Sequence, residues 1–334
     1  MHFLITGHTG FKGAWLAMLL KATGNQVSGI SLAPQKSSIF NSSNLVEIFE
    51  NNIIQDIRNI KSQDLPKLDI DVVVHLAAQP LVKTSYKIPI DTFETNVIGT
   101  LNVLELTKKI KPKASLIITT DKVYKNTSKQ IGYIESDPLG GSDPYSASKA
   151  AADIATQSWR SSFGDHPISI ARAGNVIGGG DIAENRLLPD LINCFIRNEI
   201  PKLRFPEAIR PWQHVLDCLN GYLMLINKQL TEGFAGEWNF SPPVSPPHLV
   251  AEVADLAVSL WGFDQKWRPD LTEHKTETAT LILDSSKARN ELSWSGKLSF
   301  EESIAWTIDF YKEVHNGKNQ RNVLETQINK YLNL

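Results

Sequence analysis

The sequence predicts an α/β protein, a doubly wound parallel sheet joined to a smaller α/β lobe. Three observations favour this fold class. Short β-branched runs alternate with stretches of helical spacing, a glycine-rich turn follows the first run, and proline and tryptophan become frequent only after Gly178. The chain has 334 residues, of which 42% are hydrophobic, and this length suits about two domains with a buried core.

The first half of the chain supplies the predicted sheet. Residues 3–6 form an apolar run that ends at a glycine, and residues 13–23 follow with leucine and tryptophan at helical spacing. Residues 71–76 are typical of a strand that is buried on both faces. The predicted strands are 3–6, 27–32, 52–55, 71–76, 115–119 and 168–171, and the predicted helices between and after them are 13–23, 92–110 and 146–163. This alternation places a ligand crevice at the carboxyl ends of the strands.

Composition argues against several classes of protein. The net charge of −2 disfavours non-specific binding to nucleic acid, which needs a cationic face. The two cysteines, Cys194 and Cys218, have neither a paired framework nor zinc-site spacing, so we expect no metal site and a reducing compartment. No stretch of the sequence has the length of a membrane helix. We therefore expect a cytoplasmic protein without a membrane partner.

A glycine turn suited to a pyrophosphate follows the first strand. Gly7, Gly10 and Gly13 have the spacing GxxGxxG, not GxGxxG. Gly7 permits the tight turn, Gly10 lets the backbone approach a pyrophosphate, and Gly13 allows close helix contact, while the helix N-terminus supplies amide groups. The P-loop pattern is not met, and a glycine-rich helix entry without a ligand is the alternative. Because a strand precedes the turn and a helix follows it, we predict a Rossmann-type dinucleotide site.

The adenosine end of this site departs from the usual pattern. No Asp or Glu that could bind the ribose hydroxyls occurs between Gly13 and Glu47. We expect NAD, and the sequence leaves NADP open. Asp56 and Ile57 follow the third strand, where a loop reaches an adenine edge, but a solvated pair of Asp56 with Arg58 is an equal alternative.

Tyr145 and Lys149 lie four residues apart at the start of a predicted helix, and hence on one face. A nearby cation lowers the pKa of a phenol, so Tyr145 is a candidate to remove a hydroxyl proton as hydride leaves the same carbon. On its own this spacing more often marks a solvated helix face. Its position after a nucleotide turn and five strands favours a catalytic role.

Two further clusters follow predicted strand ends. Residues 119–122, with the sequence Thr-Thr-Asp-Lys, provide a hydroxyl, an acid and an amine at the crevice, although a capped turn is an alternative. Ala77, Ala78 and Gln79 follow the fourth strand, where small residues let a flat ring approach. Asn96 lies near the same edge, with a buried helix amide as the competing interpretation.

Together these residues resemble the extended short-chain dehydrogenase/reductase family that acts on nucleotide sugars. The resemblance spans roughly residues 1–311 and includes HLAAQP at 75–80, TNVIGT at 95–100 and Trp294. Within the family the sequence is most similar to the 4,6-dehydratases that act on CDP-glucose. Three stretches carry this narrower match, GHTGFKG at 7–13, ARAGNVIGGGD at 171–181 and IRPWQHV at 209–215.

The resemblance implies oxidation of the sugar at C4, loss of water across C5 and C6, and return of the hydride to C6. It implies that Thr120 and Tyr145 hold the 4-hydroxyl, that Lys149 also grips the nicotinamide ribose, and that Asp121 protonates the departing 6-hydroxyl. Lys122 stands where related dehydratases have Glu, and an amine acts as the C5 base only if its pKa is lowered. The candidate catalytic residues are Thr120, Asp121, Lys122, Tyr145 and Lys149.

Strand ends and resemblance together predict the two binding sites. The expected cofactor-binding residues are Gly7, Thr9, Gly10, Phe11, Lys12, Gly13, Asp56, Ile57, Leu76, Ala77, Ala78, Gln79, Asn96, Thr119, Tyr145 and Lys149. The expected substrate-binding residues are Gln79, Ser85, Thr120, Asn175, Arg186, Leu187, Arg210, Gln213 and His214. Arg186 and Arg210 are candidates for the diphosphate, because guanidinium binds phosphate oxygens in a fork, although either could be a surface charge.

Domain boundaries and assembly complete the predictions. The change in composition after Gly178 and the helical spacing of Leu219, Leu223 and Ile226 indicate interleaved lobes. We expect residues 1–178 and 214–238 to bind the dinucleotide, and residues 179–213 and 239–334 to bind the nucleotide sugar. Small residues in the predicted helix 146–163, and the resemblance, imply a homodimer through helices 92–110 and 146–163.

Two other functions compete with the dehydratase interpretation. A nucleotide-sugar epimerase shares the glycine turn and the tyrosine, but it needs no acid for water elimination, so Asp121 disfavours it. A cofactor-sensing scaffold on the same fold is the non-enzymatic alternative, and the intact set of candidate catalytic residues disfavours it.

Overall fold

The computed structural model describes residues 1–61, 69–127, 129, 131–242, 248–272 and 282–334. The strands are β1 (His2–Thr6), β2 (Gln26–Ser31), β3 (Asn51–Ile54), β4 (Val72–His75), β5 (Ala114–Ile118), β6 (Ile168–Ala173), β7 (Val176–Ile177), β8 (Lys202–Leu203), β9 (Gln213–His214), β10 (Glu237–Phe240) and β11 (Arg268–Pro269). The helices are α1 (Phe11–Ala22), α2 (Ile39–Ser42), α3 (Val82–Lys87), α4 (Pro89–Phe93), α5 (Gly99–Ile110), α6 (Pro144–Phe163), α7 (Leu187–Ile196), α8 (Val215–Glu232), α9 (Val250–Trp261), α10 (Ser286–Leu292), α11 (Phe300–His315) and α12 (Gln320–Leu332).

A parallel sheet of seven strands forms the centre of the described chain, in the order β10-β6-β5-β4-β1-β2-β3. Thr6 at the end of β1 pairs with Ile30 of β2 on one side and with His75 of β4 on the other. The strand order reverses between β1 and β4, and at such a switch point the carboxyl ends of the strands diverge and leave a crevice. The predicted doubly wound α/β fold is confirmed.

Two local features differ from the sequence predictions. The six predicted strands correspond to β1–β6, whereas β10 is a seventh strand of the sheet that was not predicted. Trp238 and Phe240 of β10 are buried, and the strand extends the sheet beyond β6. The predicted helix at 92–110 begins at Pro89 and contains a π-helical turn, Glu94–Ile98, between α4 and α5. Hydrophobic spacing does not reveal one inserted residue in a turn.

Helices cover both faces of the sheet. On one face α1 and α8 bury Trp15 and Leu219 against Phe3 and Ile5. On the other face the side chains of α5, including Val103, pack with strand residues of the opposite orientation. This two-sided cover explains why the strands are almost continuously apolar.

A second buried cluster lies outside the sheet and joins α7, α9 and α11 through Leu191, Val253 and Ile304. It is the core expected of a smaller lobe. Helices α10 and α12 lie in the 239–334 segment, yet Leu292 and Leu324 join the core of the sheet. The division at the predicted boundaries remains a proposal, with these two helices contacting the dinucleotide lobe.

Helix α6 illustrates how local sequence sets a boundary near the predicted site. The Asp143 side chain accepts a hydrogen bond from the Ser146 amide at 3.0 Å, and Pro144 occupies the first turn. An acidic N-cap followed by proline is a strong helix start. It fixes the turn that carries Tyr145.

No helix in the described ranges is long and apolar enough to cross a membrane.

Candidate active site

The glycine turn between β1 and α1 is built by close backbone contacts. Gly7 has a φ of +76°, and a Cβ atom there would lie 2.7 Å from the Ala77 nitrogen. A Cβ atom on Gly13 would lie 2.3 Å from the Gly7 carbonyl oxygen. A Cβ atom on Gly10 would meet, among described atoms, only that carbonyl, at 3.3 Å. Gly7 and Gly13 are therefore needed for the fold, whereas Gly10 presents its open side to the crevice.

The N-terminus of α1 has the properties of an anion site. Gly10 is the N-cap, the first turn contains no acidic residue, and within the described chain no side chain caps the free amides. The Lys12 ammonium adds a positive charge in this turn and lies 5.9 Å from the centre of the Tyr222 ring. Free amides, a helix dipole and a lysine fit a dinucleotide pyrophosphate.

The adenosine end of the turn is neutral. The Thr9 hydroxyl lies 2.7 Å from the Ser31 hydroxyl and donates to the Leu32 carbonyl at 3.1 Å, which ties the turn to the end of β2. His8 is a residue that the sequence analysis missed. Its Nε2 lies 2.7 Å from Asn52 Oδ1, and a Cβ atom on Gly29 would lie 2.2 Å from its ring. Gly29, in the middle of a strand, is the available sequence signal for this close approach.

Asp56 and Ile57 lie after β3, as expected. Asp56 accepts from the backbone amide of Arg58 at 2.8 Å and from its guanidinium at 2.7 and 2.9 Å, and these bonds lower the pKa of Asp56. Ile57 is buried, and a Cβ atom on Gly99 would lie 2.5 Å from its Cδ1. The structure contains the Asp56–Arg58 pair that was the alternative interpretation, and the adenine contact stays a prediction.

The segment after β4 is held by amide side chains. Leu76, Ala77 and Ala78 follow His75, and the Asn96 side chain accepts from the Gln79 amide at 2.8 Å and donates to the Gln79 carbonyl at 3.1 Å. The Gln79 side chain donates to Thr92 and to the Leu81 carbonyl, and it accepts from the Leu81 amide. Both amides are therefore occupied by protein groups.

Asn96 reaches this segment from the π-helical turn, and its Nδ2 also donates to Ser148 Oγ of α6 at 2.9 Å. Ser148 stands between Tyr145 and Lys149 in sequence. Asn96 thus links the end of β4 to α6. The buried-amide interpretation describes the contacts of Asn96 in the structure, and its contact with a cofactor stays a prediction.

Thr120 and Asp121 are buried at the end of β5. The Thr120 hydroxyl donates to Asp121 Oδ1 at 2.8 Å. The other oxygen, Asp121 Oδ2, has no hydrogen-bond partner in the described part of the chain and faces Gly174, where a Cβ atom would lie 2.9 Å away. A buried carboxyl oxygen without a protein donor is expensive to maintain, so its environment suggests a functional role. It is the oxygen that could carry a proton to a ligand.

Tyr145 lies beside this carboxyl on the first turn of α6. Burial raises the pKa of Tyr145 to about 12, although its hydrogen bond with Thr120 and the charge of Arg186 act in the opposite direction. The expectation that Lys149 lowers this pKa is wrong for this structure, because burial dominates and Arg186 is the cation that acts. The phenol is therefore protonated at neutral pH.

Lys149 is buried one turn further along α6. Its ammonium donates to the Ile118 carbonyl at the end of β5, at 2.8 Å. Burial lowers the pKa of Lys149 to about 8, against the opposing effect of Asp153. A lysine in this state still carries its charge at pH 7. Tyr145, Lys149 and the Thr120–Asp121 pair are thus brought to one place, as the sequence predicted.

The two neighbours of this pair along the chain behave differently. Thr119, a predicted cofactor residue, donates its hydroxyl to Asp153 Oδ2 at 3.0 Å and so faces into the protein. Lys122 is half-buried, and its backbone amide donates to the Thr120 hydroxyl at 3.4 Å. The Lys122 side chain follows Asp121 in the same short helical turn, Asp121–Val123.

Among the predicted substrate residues, Ser85 and Arg186 act on Tyr145 at the start of α6. Ser85 accepts from the Tyr145 amide at 3.2 Å. Arg186 donates to Asp181 at 2.7 Å, and its charge acts on Tyr145. Leu187 begins α7 directly after Arg186. Arg186 therefore lies nearer to the reacting end of the site than its predicted contact with a diphosphate requires.

The remaining predicted substrate residues lie at or near the short strand pair of β7 and β9. The Asn175 carbonyl accepts from the Gln213 amide at 3.2 Å. The side chain of Gln213 donates to the Phe240 carbonyl at 2.8 Å, and Arg210 is buried and donates to the Ile209 carbonyl.

His214 is fully buried. Its Nδ1 accepts from the Leu216 amide at 3.3 Å and so caps α8. The ring lies between Trp15 and Trp306, and burial lowers the pKa of His214 to about 3. The structure thus places His214 in the core, not at the crevice. The motif around residues 209–215 gives no local signal for this, because its partners are remote in sequence.

A glycine turn at the switch point of a parallel sheet, together with a tyrosine and a lysine on the first turns of the helix that follows β5, defines a Rossmann-type protein of the short-chain dehydrogenase/reductase class. Among described residues, no cluster of three or more His, Cys, Asp or Glu could hold a metal ion.

Comparisons with known proteins narrow this class. The family model described as "NAD dependent epimerase/dehydratase family" matches residues 3–239, and the chain belongs to this family. It is 39% identical to CDP-glucose 4,6-dehydratase of Salmonella typhimurium over 98% of this chain and 95% of that one. It is 28% identical to dTDP-glucose 4,6-dehydratase of Haemophilus influenzae, over 93% of this chain and 98% of that one.

Solved structures agree on the fold. UDP-glucuronic acid 4-epimerase from Bacillus cereus, in complex with UDP-glucuronic acid and NAD, superposes with a TM-score of 0.83 at 24% identity. The match covers 94% of this chain and all of that one. At this identity the likeness concerns the fold alone, which epimerases and dehydratases share.

Proposed function

We propose that the chain is an NAD-dependent nucleotide-sugar 4,6-dehydratase that converts CDP-glucose to CDP-4-keto-6-deoxyglucose. The 39% identity to the Salmonella enzyme extends over nearly the full length of both chains and supports the substrate. The single observation that carries the reaction type is Asp121 Oδ2, a buried carboxyl oxygen beside Thr120 and Tyr145 that has no hydrogen-bond partner among the described residues.

This oxygen distinguishes the proposal from an epimerase. Epimerization at C4 needs a base for one hydroxyl and a means of returning the hydride, and neither uses a second acid. Elimination of water requires protonation of the departing hydroxyl. Because Asp121 Oδ1 already accepts from Thr120, Oδ2 is the atom that delivers this proton.

The protein residues divide the work by position. Tyr145 first loses its own proton to solvent, and the charge of Arg186 favours the resulting phenolate. The phenolate then takes the proton from the sugar 4-hydroxyl, which Thr120 orients through its contact with Tyr145. A bound NAD would supply the acceptor for the hydride from C4 and its return to C6. A ketone at C4 acidifies the C5 proton, so the elimination follows the oxidation.

Lys122 is the proposed base at C5. It follows Asp121 directly, so the acid and the base of the elimination belong to one short turn. An amine acts as a base only after it loses its own proton, and desolvation by a bound sugar would favour that loss. The proposed cofactor-binding residues are those given by the glycine turn, the ends of β3 and β4, and Lys149. NADP remains the alternative cofactor because Ser31 stands where an acid would select against it.

The substrate diphosphate has two arginine candidates. Arg210 is buried shortly before β9, and Arg186 is half-exposed. Asn175 directly precedes β7, the strand that pairs with β9. Of these, Arg186 is paired with Asp181, and binding of a diphosphate would require the arginine to share or exchange that partner.

We also propose a homodimer. Helices α4 and α6 contact each other, and each exposes an isoleucine, Ile90 at 71% and Ile154 at 53%. Phe93 and Ile98, further along the helical stretch that begins with α4, are exposed as well. Exposed apolar residues at helix spacing are typical of an interface. Ile90→Asp should yield a monomer by light scattering, whereas a monomeric wild-type protein at micromolar concentration would contradict the dimer.

A cytoplasmic location is the last part of the proposal. Cys194 and Cys218 are free thiols, and Cys218 is buried on α8. Free thiols are typical of a reducing compartment.

The direct test is to incubate the purified protein with NAD and CDP-, dTDP-, UDP- or GDP-glucose. A 4-keto-6-deoxy product, identified by mass spectrometry, should form fastest from CDP-glucose. A 4-epimer as the main product from any of the four would contradict the dehydratase proposal, and preference for another nucleotide would contradict the cytidine assignment alone.

A further inference from the structure

A buried ion pair lies behind the candidate catalytic residues, and the proposed reaction does not use it. Asp153 of α6 and Arg172 of β6 are 0% and 1% exposed. The Arg172 guanidinium donates through Nε and Nη2 to the two carboxylate oxygens, each at 2.8 Å. Its Nη1 donates to the Tyr124 hydroxyl and the Glu135 carbonyl, both at 2.9 Å. Such a fork fixes the carboxylate in orientation as well as position.

The same carboxylate holds the end of β5. Thr119 donates its hydroxyl to Asp153 Oδ2 at 3.0 Å, and Thr119 directly precedes Thr120 and Asp121. Asp153 lies one helical turn after Lys149 and two turns after Tyr145, on the same face of α6. One side chain therefore joins the strand end that carries Thr120 and Asp121 to the helix face that carries Tyr145 and Lys149.

A stabilising role alone does not account for this arrangement. Burying two charges carries a desolvation penalty, and well-packed apolar residues often replace a buried pair without loss of stability. The pair is placed where both halves of the catalytic cluster meet. We propose that Asp153 is a positioning residue for the reaction, which fixes the Thr120–Asp121 strand end against the Tyr145–Lys149 helix face. This inference rests on the proposed function.

Asp153 also acts on Lys149 through its charge. The groups that influence the pKa of Lys149 are Asp153 on its own helix, which raises it, and Lys12 at the start of α1, which lowers it. His75 at the end of β4 also lies close to Lys149, but burial lowers the pKa of His75 to about 3, so it is neutral. Loss of the Asp153 charge should therefore let Lys149 lose its proton at a lower pH.

The first test removes one bond and leaves the ion pair intact. Thr119→Val lacks the hydroxyl that binds Asp153, so kcat for CDP-glucose should fall about tenfold, because small misplacements of reacting groups are costly, while KM changes less than about twofold. Thr119→Ser restores the hydroxyl and should recover kcat. Gln157→Met is the matched control, since Gln157 donates to the other oxygen of Asp153, at 2.8 Å, without touching β5.

The second test measures the effect of the Asp153 charge on the titration of Lys149, and it requires no catalytic turnover. NAD affinity is followed by protein fluorescence between pH 6 and 9.5. In the wild type it should weaken as Lys149 loses its proton near pH 8. In Asp153→Asn the midpoint should move about one pH unit lower, on the usual scale of a neighbouring charge.

These outcomes separate the inference from the function on which it rests. Wild-type kcat in Thr119→Val, or an unshifted midpoint in folded Asp153→Asn, overturns the positioning role while leaving the dehydratase proposal intact. If Asp153→Asn does not fold, the variants Thr119→Val and Thr119→Ser test the positioning role. If the wild type makes no 6-deoxy product from CDP-glucose, the proposed function fails and the NAD titration decides the role of Asp153.

Discussion

The glycine turn after β1 and the polar cluster after β5 lie at the same edge of one sheet, but they are built differently. The turn depends on backbone contact, since side chains at Gly7 and Gly13 would overlap neighbouring main-chain atoms. The cluster depends on buried polar side chains from β5 and α6, among them Asp121 with one unpartnered oxygen in the described chain and Lys149 with a lowered pKa.

The difference separates two kinds of constraint. A turn held by steric contact tolerates almost no added atom, but it carries no electrostatic penalty. A cluster of buried charges has no steric overlap, but the desolvation of its charged groups lowers the stability of the fold. The same groups supply the reactivity of the site. Substitutions in the turn should therefore act on folding or on ligand approach, whereas substitutions in the cluster should remove chemistry and leave the fold equal or stronger.

The largest effect is expected at Gly13. Gly13→Ala places a Cβ atom 2.3 Å from the Gly7 carbonyl oxygen, and neither backbone segment can yield. We expect a loss of about 3 kcal/mol or more in the free energy of unfolding, at the upper end for overpacked sites. Urea unfolding of the purified variant measures this. A variant as stable as the wild type would show that the turn is not sterically fixed.

Lys149 should show the opposite sign. Its pKa is about 8 in the fold, against 10.5 for an ordinary lysine, so the buried ammonium opposes folding below pH 8. The unfolded chain binds more protons between these values, and this opposition therefore fades as pH rises from 8 to 10.5. Lys149→Met should gain about 2 kcal/mol at pH 7, after allowance for the lost bond to Ile118, and lose activity.

The check on Lys149→Met is urea unfolding of variant and wild type at pH 7 and pH 9.5. The difference between the two proteins should shrink at the higher pH. A variant that is less stable than the wild type at pH 7 would contradict the claim that the catalytic cluster is held at the expense of stability.

The smallest effect on the fold is expected at Gly10, and it sharpens the comparison within the turn. A Cβ atom there meets the Gly7 carbonyl at 3.3 Å but otherwise projects toward the crevice. Gly10→Ala should stay within about 1 kcal/mol of wild-type stability and bind NAD about tenfold more weakly, because the methyl group stands where the pyrophosphate approaches. Calorimetric titration with NAD tests this, and unchanged affinity would contradict the assigned approach.

How much of each region the sequence predicts depends on whether its contacts are local or remote in the chain. The turn and strands β1–β6 are local patterns of spacing, so the sequence analysis identifies them within a few residues. The face shared by Tyr145 and Lys149 follows from helix periodicity. The Asp153–Arg172 pair and the contact of His8 with Gly29 join residues that are remote in the chain. No local pattern predicts the ion pair, and the mid-strand Gly29 indicates a close approach without identifying His8 as the partner.

The direction of the Tyr145 pKa shows the same limit. Sequence spacing suggests a phenol beside a cation and hence a lowered pKa. In the structure, burial by surrounding elements raises the pKa to about 12. Burial is a tertiary property, and it outweighs a neighbour four residues away. His214 repeats the lesson, because its motif suggests a ligand contact while its ring is enclosed by Trp15 and Trp306.

The central claim is that Tyr145 begins the reaction and that Asp121 completes the elimination. A single-turnover experiment with CDP-glucose and NAD, followed at the absorbance of reduced cofactor, tests it directly. Asp121→Asn keeps the shape but removes the acid, so reduced cofactor should accumulate while 6-deoxy product falls by ~10²-fold or more. Tyr145→Phe should show no reduced cofactor. Product release by Asp121→Asn at the wild-type rate, or arrest of both variants before any cofactor reduction, would contradict this division of roles.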